Sequence, residues 1–212
     1  MKHIRNLALP LFAALFIVSS CGTPKPTASA PKAGKSGSGL SEQEQINATY
    51  AFFDAQKEKV SGNDQRALEL FAQCLRIDTK NHAAMYEMAS IYNAKGKVND
   101  ALFFAKSASD LDPKNEWYQL LLANTYEKSG KFTEAISIYQ QLYKKYPDRV
   151  EYLFSESDAL LMQGKLQEAI KVYDVIEKEI GVTREMTQQK QRLYLKMGKV
   201  NEAAGELEKL IQ

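Results

Sequence analysis

The residues with the greatest chemical reactivity are two cysteines and two histidines, and their positions argue against catalysis. Cys21 and Cys74 lie far apart, His3 is next to the N-terminus, and His82 stands alone in the chain. Metal sites and nucleophile–histidine pairs need these residue types in greater number and at characteristic spacings. We therefore expect no catalytic residues, no metal and no cofactor. Cys74 is predicted to be a buried, inert thiol and His82 a solvated residue at the start of a helix.

Cys21 differs from the other three because of the residues that precede it. Residues 1–20 begin with basic side chains and continue with an apolar run over residues 7–18. This run is too short to span a bilayer and contains a proline, so it predicts a secretory signal peptide. Its last residues, Val18-Ser19-Ser20-Cys21, resemble the lipobox of bacterial lipoproteins, in which the cysteine is lipidated and becomes the mature N-terminus. The alternative is an ordinary cleavage site that happens to precede a cysteine.

The lipobox resemblance implies a membrane anchor, and the composition of the next residues predicts a linker. Residues 22–40 are rich in proline, glycine, serine and alanine and contain no aromatic side chain, so they cannot bury enough surface to fold. We expect a signal peptide at 1–20, a lipidated cysteine with a flexible linker at 21–40, and a folded domain at 41–212. Gly22, in place of the aspartate that resembles an inner-membrane retention signal, favours the outer membrane, with the domain facing the periplasm.

The charge balance argues against a nucleic-acid partner. The chain has 28 basic and 26 acidic residues, for a formal net charge of +2. Five basic residues precede position 41 and every acidic residue follows it, so the folded part has 23 basic and 26 acidic residues, a net charge of −3. Nucleic-acid-binding domains usually carry a basic face or stripe, so we expect no such partner.

Residues 41–212 repeat with a period of 34 residues. Two residue types mark the period, glycine at Gly62, Gly96, Gly130, Gly164 and Gly198, and alanine at Ala67, Ala101, Ala135, Ala169 and Ala203. Each glycine follows a helical pattern, where a positive φ would end one helix and begin a tight turn. Each alanine lies early in the next helix, where a small side chain would let two helices cross closely. Apolar residues such as Leu68, Phe71 and Leu75 follow helical spacing, and there is no strand pattern.

This pattern resembles the tetratricopeptide repeat family, whose 34-residue unit forms two antiparallel helices. The resemblance implies an all-α, right-handed superhelix of five helix-turn-helix repeats, at 48–81, 82–115, 116–149, 150–183 and 184–212. Pro113 and Pro147 are predicted to separate units because proline cannot continue a helix. Ser41 and Glu44 are predicted to form a capping box at the first helix. The first and last repeats depart most from the family pattern, as terminal repeats often do.

The same resemblance implies a concave protein-binding surface lined by the first helix of each repeat. Its fifth place holds a mainly aromatic row, Phe52, Tyr86, Leu120 and Phe154. One turn further lies a polar row, Gln56, Ser90, Asn124, Asp158 and Arg192, and Trp117 occupies the second place of its repeat. Three alternatives stand beside this interpretation. The aromatic row packs in the core, Trp117 wedges between repeats, or Asp158 and Arg192 pair with each other.

Together these features predict a membrane-anchored scaffold or adaptor rather than an enzyme. Its expected partners are protein or peptide segments of the bacterial envelope, as in outer-membrane assembly, pilus biogenesis or similar processes, and the membrane itself through the lipid anchor. The sequence ends at Gln212, five residues short of a complete fifth unit. A second interpretation is therefore that it is the N-terminal segment of a longer lipoprotein, with an enzymatic or envelope-binding domain downstream. Alternatively, this end of the array docks onto another molecule.

Overall fold

The computed structural model describes residues 39–209, in which short turns and loops connect α-helices and there are no strands. Its ten helices are α1 (Glu42–Val60), α2 (Asp64–Ile77), α3 (His82–Ala94), α4 (Val98–Leu111), α5 (Glu116–Lys128), α6 (Phe132–Lys145), α7 (Glu151–Met162), α8 (Leu166–Ile180), α9 (Arg184–Lys196) and α10 (Val200–Glu208). Each odd-numbered helix packs against the even-numbered helix that follows it, and successive pairs stack in chain order. The result is an α-solenoid of five helical hairpins.

Each hairpin turns at one of the periodic glycines. The five glycines have φ between 69° and 80°, a left-handed conformation that side chains disfavour. In each turn, the N–H of the residue after the glycine donates to the carbonyl five residues earlier, at 2.8–2.9 Å. This Schellman arrangement satisfies carbonyls that the end of a helix leaves unpaired. The prediction of a left-handed glycine turn at these positions is confirmed.

The periodic alanines and the two prolines also behave as predicted. The five alanines lie early in the even-numbered helices and are at most 2% exposed. Pro113 lies between α4 and α5, and Pro147 lies between α6 and α7. The alanines are therefore buried between packed helices, and each proline lies where one repeat ends and the next begins.

Helix α1 begins with the predicted capping box. The Ser41 hydroxyl accepts a hydrogen bond from the Glu44 N–H at 3.3 Å, and the Glu44 carboxylate accepts one from the Ser41 N–H at 2.8 Å. With 19 residues α1 is the longest described helix, and it begins six residues before the predicted start of the first repeat at residue 48.

Buried tyrosines tie successive odd-numbered helices together. The Tyr118 hydroxyl lies 2.9 Å from His82 Nδ1, at the first residue of α3. One repeat later, the Tyr152 hydroxyl donates to the Glu116 carboxylate, at the first residue of α5. The prediction that His82 is solvated is therefore wrong, because its ring is half-buried and packs against the next repeat.

Candidate protein-binding surface and buried charges

The side chains of the predicted aromatic row pack against other side chains of the solenoid. The Phe52 and Phe71 ring centroids lie 5.6 Å apart, and Tyr86 lies 5.1 Å from the ring of Tyr118. Leu120 and Phe154 pack against buried clusters of the central and C-terminal repeats. All four side chains of the row are half-buried, so each combines a packing role with a partly accessible surface.

The predicted polar row is more accessible than the aromatic row. Gln56 is half-buried, whereas Asn124, Asp158 and Arg192 are exposed on α5, α7 and α9. Asp158 and Arg192 occupy equivalent places in adjacent repeats, but none of the ion pairs found within residues 39–209 joins them. Their charges are therefore not used to pair these two repeats with each other.

Trp117 lies on the surface at the start of α5. Its side chain is 57% exposed, so the alternative that it wedges between two repeats is wrong. Its backbone N–H donates to the side chain of Asn115, which caps the helix. The helix start is therefore anchored locally, and most of the indole ring remains available for contact.

A buried amide supports the polar row from beneath, and the sequence did not reveal it. Asn93 is 6% exposed, and its side-chain N–H donates to Asn124 Oδ1 at 3.1 Å and to Thr125 Oγ1 at 3.3 Å. Its backbone carbonyl accepts from Lys128 Nζ at 3.4 Å. These bonds join α3 to α5 and orient the Asn124 amide.

The seventh place of the repeat contains charges that the sequence interpretation also missed. In the second and third repeats this place holds the buried Met88 and Leu122, but in the fourth and fifth it holds Glu156 and Lys190. Glu156 is 7% exposed and accepts a hydrogen bond from Gln140 Nε2 at 2.6 Å. Burial raises the pKa of the Glu156 carboxyl above its ordinary value of 4.5.

Lys190 is fully buried and is held by three carboxylates. Its ammonium lies 2.6 Å from Asp174, 2.9 Å from Glu177 and 3.1 Å from Glu206. Burial alone would lower the pKa of Lys190, but the hydrogen bonds to these carboxylates outweigh that cost, and the pKa is raised. Lys209 adds a second cation, 3.3 Å from Glu177 and 3.0 Å from Glu206. The cluster connects α8, α9 and α10.

Cys74 is buried, as predicted, and burial raises the pKa of its thiol to about 11. The thiol therefore stays protonated near neutral pH and is a poor nucleophile.

Within residues 39–209 there is no grouping of three or more histidine, cysteine, aspartate or glutamate residues suited to a metal ion. No helix in this same range has the length and apolar character that crossing a membrane requires.

Comparison with known protein families shows which family the chain belongs to. Two sequence profiles described as tetratricopeptide repeat match residues 61–125 and 120–180, and together they span more than half of the chain. The chain belongs to the tetratricopeptide repeat family. No curated protein sequence matches it significantly.

Solved structures with the same tetratricopeptide fold are similar in shape but distant in sequence. A crystal structure of MamA protein superposes with a TM-score of 0.68 and 18% identity, covering 78% of this chain and 90% of that one. MamA from Desulfovibrio magneticus RS-1 gives a TM-score of 0.65 at 13% identity, covering 78% and 93%. YrrB, described as a TPR protein with an unusual peptide-binding site, gives 0.66 at 18% identity, covering 80% and 88%. At these identities the likeness establishes the fold alone.

Proposed function

We propose that this tetratricopeptide protein is a scaffold that binds segments of partner proteins along its odd-numbered helices. The tetratricopeptide fold is an interaction scaffold, and the description of YrrB as peptide-binding supports this use. The observation that carries the proposal is the exposure of Trp117, Asn124, Asp158 and Arg192 on three consecutive odd-numbered helices, α5, α7 and α9.

The chemistry of these side chains suits a polar peptide with at least one apolar anchor. Trp117 offers a large, rigid apolar surface, the type of residue that contributes most energy at interfaces. Asn124 can hydrogen-bond a peptide backbone, because amide side chains both donate and accept. Asp158 and Arg192 carry opposite charges that can set the direction and register of a bound segment.

A crosslinking pull-down from native membranes tests this proposal with a matched pair of variants. The surface variant combines Trp117→Ala, Asn124→Ala and Asp158→Ala. The control variant is Phe103→Ala, which removes an aromatic ring that is 66% exposed on the even-numbered helix α4. The surface variant is expected to retain its helical circular dichroism and to lose its partner, whereas the control keeps it.

Recovery of the same partners by the surface variant and the wild type would reject binding along these helices. The aromatic row is unsuitable for the same experiment, because Phe52, Tyr86 and Phe154 are half-buried and pack against neighbouring side chains. Replacing them with serine would change the stability of the repeats together with their surface.

We also propose that the scaffold is anchored in the bacterial outer membrane through Cys21 and serves envelope proteins there. The support is the signal-like sequence of residues 1–20, the lipobox-like residues that follow it, and the linker composition of residues 22–40. Residues 1–38, which include Cys21, lie outside the described range. More than one acyl chain on the cysteine would give stable anchoring.

Metabolic labelling with palmitate and membrane fractionation test the anchor. The wild type should incorporate label and sediment with outer membranes, and Cys21→Ser should do neither. Cys74→Ser is the matched control, because that thiol is buried in α2 and its replacement should leave labelling unchanged. Labelling of Cys21→Ser would reject the lipobox interpretation.

A further inference from the structure

A cleft lies between the even-numbered helices α6 and α8, above α7. Its volume is about 650 Å3. Gln140 of α6 and Glu156 and Leu160 of α7 form part of its lining, and Lys165 and Lys171 contribute from the α8 side. It involves none of the exposed side chains on which the proposed function rests.

The same structural positions one repeat later are filled by an internal ion cluster. Shifted by 34 residues, Gln140 corresponds to Asp174, Glu156 to Lys190, and Val172 to Glu206. In the later repeat, the ammonium of Lys190 occupies this position and is held by carboxylates. In the earlier repeat, the corresponding side chain is a carboxylate next to an open cleft. The fold therefore supports burial of a cation between these helices.

Within residues 39–209, no cationic side chain forms an ion pair with the buried Glu156 carboxyl group. Its only hydrogen-bond partner among the described residues is the Gln140 amide, and no ion pair of that range includes it. Lys165, which also lines the cleft, has its ammonium 3.9 Å from the Glu168 carboxylate and forms no ion pair with Glu156. A buried carboxylate held by one neutral amide costs stability, and an apolar residue such as the equivalent Leu122 would avoid that cost.

We propose that this cleft binds a cationic side chain, arginine by preference, from a partner protein. Its positive group would pair with the Glu156 carboxylate. Gln140 donates its amide N–H to Glu156, so the Gln140 side-chain oxygen remains able to accept a second hydrogen bond. The planar guanidinium of arginine can donate to the Glu156 carboxylate and to the Gln140 side-chain oxygen at the same time. The compact ammonium of lysine does this less well.

Titration of the full chain with short peptides tests the proposal. The probes are acetyl-Gly-Arg-Gly-amide and its uncharged norleucine analogue, followed by NMR of the backbone amides of α7 and α8. The arginine peptide should give saturable shifts around Glu156, and the norleucine peptide should not. Glu156→Gln should weaken arginine-peptide binding about tenfold or more, because it removes the charge and keeps the shape. Glu168→Gln is the matched control on the cleft rim and should change affinity less than about twofold.

Three results would overturn the proposal. The first is equal binding of the two peptides, and the second is equal affinity in wild type and Glu156→Gln. The third is a loss of thermal stability in Lys171→Ala, which would show that the protein's own lysine neutralises Glu156.

A further pair of measurements keeps the two binding proposals separate. The variant carrying Trp117→Ala, Asn124→Ala and Asp158→Ala should bind the arginine peptide like the wild type. Glu156→Leu should lose the peptide and raise the melting temperature, because it installs the residue type of Leu122. A lower melting temperature, with peptide binding retained, would mean that Glu156 is structural and not a ligand.

Discussion

Lys190 is fully buried, a rare position for a lysine, and its surroundings explain why the fold tolerates it. Three carboxylates from α8 and α10 lie within 3.1 Å of its ammonium. Transfer of a charge out of water is unfavourable, and such a cluster persists only when close partners offset that cost. The lysine therefore compensates the charges of Asp174, Glu177 and Glu206, which would otherwise repel one another.

Replacement of this lysine should be among the most damaging single changes in the chain. We expect Lys190→Met to lower the free energy of unfolding by up to about 3–5 kcal/mol, because it removes the buried cation that three carboxylates share and leaves Lys209, at the surface, as the remaining cation next to Glu177 and Glu206. Urea denaturation followed by circular dichroism measures the change. Lys171→Met, at an exposed position on α8, is the control and should change stability by no more than about 0.5 kcal/mol. Equal stability of the two variants would show that the cluster is not what holds the last helices together.

Glu156 should make stability depend on pH in a defined direction. Its pKa in the folded protein is raised above the ordinary value of 4.5, so the protonated form is the one that folding favours. The stability contribution of this group is complete below 4.5 and is lost as pH rises through the raised pKa. The charged neighbours on the cleft rim are Lys165, Glu168 and Lys171 of the α8 side, and α6 contributes the neutral Gln140.

Glu156→Gln isolates this effect, because glutamine stays neutral at every pH. We expect the variant to be more stable than the wild type near neutral pH and to lose that advantage as pH falls towards 4.5. Thermal melts over this range measure the difference. A difference that stays constant with pH would mean that burial does not perturb the carboxyl.

At the scale of the elements, the helical hairpins depend on backbone conformations that local sequence already specifies. Gly130 has φ of 75° in the turn between α5 and α6, and an added Cβ would meet no atom within 4 Å. Any cost of a side chain at this turn is therefore conformational and not steric crowding by neighbours. Gly205 also has open space around its Cα, but it lies inside α10 with φ outside the left-handed region.

These two glycines make a matched pair of alanine substitutions with opposite signs. Gly130→Ala should destabilise the protein by about 1–2 kcal/mol, because alanine disfavours the left-handed region. Gly205→Ala should stabilise it by up to about 1 kcal/mol, because alanine is the better helix former. Melting temperatures of both variants test the pair, and a change of the same sign in both would contradict this account of the turns.

At the scale of the whole molecule, the repeats of the solenoid differ in how much of their surface packs against a neighbouring repeat. Tyr118 and Tyr152 are 7% and 1% exposed where they pack on the preceding repeat, but Tyr50, at the equivalent place in α1, is 69% exposed. Among the described residues no repeat precedes α1, so its outward face has no such neighbour. The free energy of unfolding of a repeat protein is close to the sum of the intrinsic stabilities of its repeats and of the interfaces between adjacent repeats. A repeat packed against neighbours on both sides is therefore more stable than one packed on a single side.

Hydrogen exchange should therefore report a gradient along the array. We expect the amides of α3 to α8 to exchange most slowly and those of α1 and α10 to exchange faster. The large apolar side chains Tyr50 and Leu207 are exposed on these two helices, so local opening there breaks fewer packing contacts. Mass spectrometry of peptides from each helix measures this protection. Uniform protection across all ten described helices would show that the repeats open as one cooperative unit.

The sequence by itself determined the repeat architecture, because each of its signals acts within a few residues. Glycine at a left-handed turn, alanine at a helix crossing and proline after a helix end each act locally, and their 34-residue period revealed five hairpins. The capping box at Ser41 was predictable for the same reason. The identity of the partners and lipidation at Cys21 stay predictions, since no described contact bears on them.

Only the tertiary structure decided which side chains are accessible and which charges are paired. His82, Asn93 and Lys190 find their partners about 13 to 36 residues away, on other helices. Their hydrogen bonds depend on how repeats stack, which a local pattern does not encode. A comparison of the seventh places would have shown that Glu156 and Lys190 depart from the apolar Met88 and Leu122. It would not have shown that carboxylates enclose Lys190 or that Glu156 faces an open cleft. Burial and pairing depend on distances in space between helices, and folding alone determines those distances.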